Sequence, residues 1–230
     1  MKPAIARALD GVDDPRILDC GCGTGSNLEM LRPYGRAWGF DLTGNGVRFA
    51  RAHGHHVAQA SIEAIPFASG RFDLVTSFDV FQCLPDHVER SAIAEMARVL
   101  KPDGRLLLHV AALEILYGKH SALSEEVRRY TPARLRAIVE QGGFQIERLT
   151  FDHLSLLPLM LPVRVWHRLT AAGGRVEAGE GEITVPIAPV NAALTALVSL
   201  EAMALRAVNM PIGSSLMCLA RKGTRAPISP

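Results

Sequence analysis

Three glycines and two carboxylates carry the strongest chemical signal in the chain. Ile17-Leu18-Asp19-Cys20-Gly21-Cys22-Gly23-Thr24-Gly25 runs from an apolar strand into a glycine-rich turn and then into a helix. Glycine reaches the positive φ that such a turn needs, and its missing side chain lets a ligand approach the backbone. The helix N-terminus beyond it offers unpaired N–H groups and a partial positive charge. Dinucleotide sites use G-x-G-x-x-G, with a pyrophosphate on the helix end. Here the third glycine comes one residue early, at Gly25, and Ser26 holds the dinucleotide position. Asp19 inside the motif suits a ligand bearing an ammonium group and no phosphate. Asp41 closes a second strand about 20 residues downstream, where an acid grips ribose hydroxyls. One carboxylate can accept both hydrogen bonds of a vicinal diol. Ser61-Ile62-Glu63-Ala64-Ile65-Pro66-Phe67 follows a third strand and can close over a planar base.

The elements that must hold these residues are legible from periodicity. Strands are expected at Arg16–Asp19, Ala37–Phe40, His56–Ala60, Phe72–Phe78, Arg105–Val110, Phe144–Phe151 and Ser215–Ala220. Helices are expected at Pro3–Leu9, Ser26–Leu31, Gly46–Ala52, Val88–Leu100 and Thr131–Gln141. In the last of these Thr131 caps, Pro132 sits in the first turn and Gly142-Gly143 ends the helix. Strands alternating with helices predict an α/β fold, with a mostly parallel sheet covered on both faces. Right-handed crossovers put the strand C-termini on one edge, where ligands bind.

Composition narrows the class. The 230 residues are 48% hydrophobic and 21% charged, which excludes a disordered chain. The net charge of +2 gives no basic face for nucleic acid. Cys20, Cys22, Cys83 and Cys218 lack C-x-x-C spacing, so no zinc site is expected. Scattered thiols without a secretion signal fit a cytoplasmic protein. His53, His55 and His56 fall between a helix and the third strand and read as a surface loop; no metal centre is expected.

Residues 1–151 and 214–222 read as a ligand-binding core, 152–213 as an apolar helical insertion between strands six and seven, and 223–230 as a tail. Ile183–Leu200 carries no charge, but Pro186, Pro189 and Asn191 argue against a membrane span. Val190–Val208 reads as one amphipathic or buried helix. Three roles compete for the insertion: extra core packing or a homodimer surface, a hydrophobic lid, and shallow membrane contact through Arg164, Trp166 and Arg168.

Four segments in order give the chain its family likeness: Leu18 through Gly25, Gly39-Phe40-Asp41, Ser61 through Phe67 leading into Arg71-Phe72-Asp73-Leu74-Val75, and Arg98-Val99-Leu100-Lys101-Pro102-Asp103-Gly104. The chain resembles class I S-adenosylmethionine-dependent methyltransferases of the bacterial small-molecule type. The resemblance implies a Rossmann-like seven-stranded sheet with an antiparallel last strand. It implies S-adenosyl-L-methionine as cofactor and S-adenosyl-L-homocysteine as product. Asp19 and Gly21 would hold the methionine end, Asp41 the ribose, and Ser61 with Ile62 the adenine. Cys20, Cys22, Gly23, Gly25, Asn27, Leu42, Glu63, Phe78 and Asp79 complete the cofactor candidates. Two positions depart from the pattern: Ser61 stands where many relatives carry Asp, and Cys83 where many place His.

The sulfonium of such a cofactor is already a strong methyl donor, so the protein must chiefly align a nucleophile and exclude water. A base is needed only where the acceptor loses a proton early. His120 and Tyr117, in the loop after strand five, are the catalytic candidates. Phe81, Gln82, Cys83, Arg129 and Tyr130 are the substrate candidates. Arg128 and Arg129 could bind an anionic acceptor, with a solvated charge pair as the plainer reading. His109, inside an apolar strand, reads as a satisfied core histidine. The expected activity is methyl transfer to a small molecule, with hydrophobic acceptors and secondary metabolites among the candidates. The alternatives are a cofactor-binding enzyme of other chemistry such as a cyclase, a non-catalytic cofactor-binding protein, and a nicotinamide oxidoreductase.

Overall fold

The structure, a computed structural model, describes residues 1–118, 121, 124–158, 161 and 188–223. Seven strands form one sheet: β1 (Arg16–Cys20), β2 (Arg36–Asp41), β3 (His56–Gln59), β4 (Phe72–Phe78), β5 (Leu100–Ala111), β6 (Phe144–Asp152) and β7 (Ser215–Lys222). Their order is β3-β2-β1-β4-β5-β7-β6. Neighbours pair in parallel except β7, which runs antiparallel to both β5 and β6. The expected Rossmann-like sheet with an antiparallel last strand is therefore present. Chain order reverses between β1 and β4, so a crevice opens outside the C-terminal ends of those strands.

Alternation along the strands fills both faces. Leu18, Val75, Leu106 and Leu108 belong to a core with Ile93 and Met96 of α4 (Asp86–Val99) and Leu135 and Val139 of α5 (Pro132–Gln141). Ile17, Leu74, Leu107 and Leu219 pack on the other side with Ile5 of α1 (Lys2–Ala8) and Leu28 and Leu31 of α2 (Ser26–Leu31). A seventeen-residue helix, α6 (Ala188–Ala204), precedes β7. α3 (Gly44–Ala52) carries the chain from β2 to β3.

Several boundaries differ from the sequence expectation. β5 begins at Leu100 because Leu100 pairs with Phe72 across a register shift. Lys101–Gly104 is thus taken up as an irregularity of the strand, with Asp103 at φ +60. α6 begins at Ala188, since Pro189 in a first turn forfeits no helical bond. It ends at Ala204, short of Val208. α6 is neither buried nor neatly amphipathic: Val190, Leu197, Leu200 and Met203 are exposed, and Glu201 is its buried side chain among those described. Glu201 anchors the helix by accepting from the backbone N–H of Leu154 (2.9 Å) and Ser155 (2.8 Å). Arg164, Trp166 and Arg168 lie outside the described residues. Among the described helices none is long and apolar enough to cross a membrane.

A buried charge network joins α4 to the stretch before α5. Glu89 accepts from Arg128 Nη1 (2.8 Å) and Arg134 Nη2 (2.7 Å), and from the Tyr130 hydroxyl. Asp86 pairs with both arginines at 2.7 and 2.9 Å.

Candidate active site

The glycine turn sits at the C-terminal end of β1, tied to its neighbour. Gly21 and Cys22 both donate their N–H to the Phe40 carbonyl of β2, at 2.9 and 3.0 Å. Gly21, Gly23 and Gly25 have φ of +83, +51 and +94. A Cβ on Gly21 would lie 2.3 Å from Val80 Cγ2, so both sterics and backbone demand glycine there. Gly25 caps α2 without a side-chain cap, which leaves its first-turn N–H groups for another acceptor.

Asp41 binds the turn from β2. Its Oδ2 accepts from Gly23 N at 2.8 Å, and its Oδ1 from the N–H (2.8 Å) and hydroxyl of Thr43. A carboxylate has roughly four acceptor sites, so these bonds leave capacity on Oδ2. Leu42 beside it is exposed.

Asp19 is fully buried beneath the turn. Its Oδ1 accepts from Thr76 Oγ1 at 2.7 Å, while Oδ2 has no partner among the described residues. Burial pushes its pKa up to about 6; the Thr76 hydroxyl and the Asn27 side chain offset part of that, and Asp41 adds to it. An orphaned carboxylate oxygen in a buried cradle invites a cation. Cys20 and Cys22 point into the two cores, and burial raises both thiols, Cys22 to about 12.

The third segment is held by Arg98 of α4. Its guanidinium donates to the carbonyls of Phe67 and Ile65, both at 2.9 Å, while Glu95 accepts from Ile65 N at 2.9 Å. Ser61 Oγ accepts from Glu63 N at 3.2 Å, making a local turn. The Ile62 side chain is buried in the core, which leaves its backbone for a ligand.

Beyond β4 the edge is polar. Asp79, at φ +58, has a side chain 56% exposed. His109 is buried between Asp79 Oδ1 (Nδ1, 3.0 Å) and Asp152 Oδ2 (Nε2, 3.2 Å). Desolvation alone would lower its pKa, but the two carboxylates win and raise it to about 9. In return the imidazolium holds Asp79 and Asp152 below the usual carboxylate range. His109 is thus a satisfied core histidine, and one that reaches the active edge through Asp79.

The acceptor-side candidates fall at the following places in the structure. Tyr130 is fully buried, donating to the Phe81 carbonyl and Glu89. Arg129 is not solvated: it donates to the Ala112 carbonyl (3.0 Å) and Ser121 Oγ (3.1 Å) and pairs with Glu126, while its Nε has no hydrogen-bond partner among the described residues. Arg128 is consumed by Glu89 and Asp86. Phe81 is core, as is Phe78. Gln82 is buried with its amide 3.5 Å from Asp79. Cys83 Sγ faces the Ser124 carbonyl at 3.2 Å, and burial raises its pKa, so it is no reactive thiolate. The Tyr117 hydroxyl donates to the Glu126 carbonyl at 3.1 Å. His120 lies outside the described residues. Of the three histidines expected in a surface loop, His53 is exposed before β3 and His56 is exposed as its first residue, but His55 tucks under Gly25 and pairs with Glu29 at 3.3 Å.

Sequence reasoning missed Thr76, Arg98, Asp152 and His153. Thr76 had a signal, a polar residue within the apolar run of β4, in register with Asp19. Arg98 opened one of the four family segments, though its role did not show there, and Asp152 and His153 gave no local signal.

The sheet order and the acid-bearing glycine turn define a class I methyltransferase fold. Residues 18–108 match the family described as Methyltransferase domain. A malonyl-[acyl-carrier protein] O-methyltransferase from Herminiimonas arsenicoxydans is 31% identical over 70% of this chain and 66% of its own. One of the same name from Hahella chejuensis is 36% identical over 46% of this chain and 40% of its own. The chain spans less than two thirds of each. Among solved structures, an S-adenosylmethionine-dependent methyltransferase from Mesorhizobium loti superposes with TM-score 0.59 at 19% identity, covering 95% of this chain and 96% of that one. The chain thus carries a methyltransferase-domain match over residues 18–108 and shares its fold with S-adenosylmethionine-dependent methyltransferases of known structure.

Proposed function

We propose that the chain transfers a methyl group from S-adenosylmethionine to a small-molecule acceptor through an oxygen, nitrogen or carbon nucleophile. The observation that carries this is the pairing of two carboxylates across one glycine turn. Asp19 Oδ2 is buried and makes no hydrogen bond among the described residues, and Asp41 is locked to Gly23 with acceptor capacity to spare. Asp19 would take the ammonium of the methionine end and Asp41 the ribose hydroxyls. The cofactor supplies an electrophilic methyl on a sulfonium. Everything else falls to the chain: the turn orients, the segment held by Arg98 covers the base, and Asp79 bounds the acceptor side. No proton-transfer group is required for an acceptor that is already a nucleophile. The two relatives are named malonyl-[acyl-carrier protein] O-methyltransferases, which supports an oxygen acceptor.

Calorimetry with S-adenosylhomocysteine tests the reading. Asp41→Ala removes the diol acceptor and orphans the N–H of Gly23 and Thr43, each worth roughly 1–3 kcal/mol when left unpaired. Affinity should fall at least tenfold, with no measurable NAD binding in either protein. Unchanged affinity in Asp41→Ala, or tight NAD binding alone, ends the proposal. Methyl turnover against a panel of acceptors then separates transfer from cyclisation and from mere cofactor storage.

A further inference from the structure

The His109–Asp152–His153 cluster has a geometry that an ion pair does not need. Two imidazoles from different parts of the chain converge on one carboxylate. His109 Nε2 lies 3.3 Å from Asp152 Oδ1, and His153 Nδ1 lies 3.4 Å from the same oxygen. The three donor atoms all lie within 4.8 Å of one another. Bonds of roughly 2.0–2.2 Å from zinc to nitrogen or oxygen give tetrahedral edges of about 3.3–3.6 Å. Two of the three edges are already at that length.

The surroundings match a metal site as well. Asp79 accepts at His109 Nδ1, 3.0 Å away, so the other nitrogen is the one presented to Asp152. A carboxylate behind a ligating histidine is the usual support for such a ligand. Asp79, Asp152 and Glu201 place three carboxylates around two imidazoles, and Glu201 is close enough for His153 to lower its pKa. His109 and Asp152 are buried, while His153 is 37% exposed, which leaves one wet side for an ion to enter. β6 runs parallel to β5, since both are antiparallel to β7. Asp152 therefore ends on the same sheet edge as Asp79 and the glycine turn.

We propose that His109, Asp152 and His153 form a binding site for one divalent transition-metal cation of zinc-like nitrogen and oxygen preference, with Asp79 as the supporting carboxylate and a fourth position open to solvent. Three protein ligands with an open fourth place is the pattern of reactive rather than closed zinc sites. On the methyl-transfer reading, the open place adjoins the acceptor side and would take an acceptor oxygen or nitrogen, lowering its pKa.

The test uses the full chain freed of metal by chelator and titrated with Zn²⁺ by calorimetry and with Co²⁺ by visible absorption. The wild type should take up one equivalent, with the absorption of a four- or five-coordinate cobalt site. His153→Ala, which changes a partly exposed side chain, should lose that uptake while keeping its circular dichroism and its S-adenosylhomocysteine affinity. Asp79→Asn should weaken uptake by about 10- to 100-fold. Equal uptake by the wild type and His153→Ala overturns the site as a surface artefact, and so does no uptake by the wild type. Because adenosyl-ligand affinity is read separately, failure here is distinct from failure of the methyl-transfer reading.

Discussion

Asp19→Asn is expected to weaken S-adenosylhomocysteine binding about a hundredfold, the loss of a charge-assisted bond to an ammonium, while making the empty protein more stable above pH 6. Both effects have one cause. Asp19 is fully buried with one oxygen unpartnered, and its pKa rises from 3.8 to about 6. A raised carboxyl pKa means the folded state holds the proton more tightly than the unfolded chain. Its contribution to stability is present below about pH 4, is lost as pH climbs toward 6, and is absent above that. The loss is on the order of 3 kcal/mol. Asparagine does not ionise, so the variant should match the wild type near pH 4 and exceed it at pH 8. Urea denaturation at the two pH values reads the difference. An equal stability gap at both would show that burial of the charge is not the cause. Ligand binding must also expel the proton below pH 6. Wild-type affinity should therefore fall about fivefold from pH 6 to 5, and the asparagine variant should show no such slope.

Glu89→Ala is expected to cost about 3–5 kcal/mol of stability, the usual penalty for removing one partner of a buried ion pair. Glu89 is 3% exposed and holds Arg128, Arg134 and the Tyr130 hydroxyl at once. Without it, Arg128 keeps Asp86 and the Leu84 carbonyl, but Tyr130 keeps only Phe81. Glu89→Gln retains an acceptor for one donor and should fall between the two. Under conditions where Glu89→Ala remains folded, adenosyl-ligand affinity should stay within threefold, because Glu89 bonds to Arg128, Arg134 and Tyr130 and to no residue of the glycine turn. A loss below 1 kcal/mol in denaturant would mean that the arginines find solvent or other partners.

The two kinds of residue in this site differ in how far sequence reaches them. Asp19, Gly21 and Asp41 announce themselves because each depends on its near neighbours: a strand, a turn, a strand end. Local periodicity is enough, and the sheet follows from the same alternation together with the family likeness. Arg129 and Tyr130 misled for the opposite reason. Their charge and hydroxyl look available in one dimension, yet Glu126, Ser121 and Glu89 consume them in three. His109, Asp152 and His153 are linked across β7, the strand that comes last in the chain and is inserted between β5 and β6. No spacing rule joins positions 43 apart through a strand still to come. The β5 start at Leu100 failed more simply, because a turn-forming run was absorbed as a bulge.

The two thiols in the glycine turn bear on chemical safety. A sulfonium held against the loop is an alkylating agent, and a thiolate is the nucleophile it would attack first. Cys20 and Cys22 face away into packed hydrocarbon, and their protons are held far above physiological pH. On the proposed methyl-transfer reading, the reagent would therefore rest next to sulfur without modifying it.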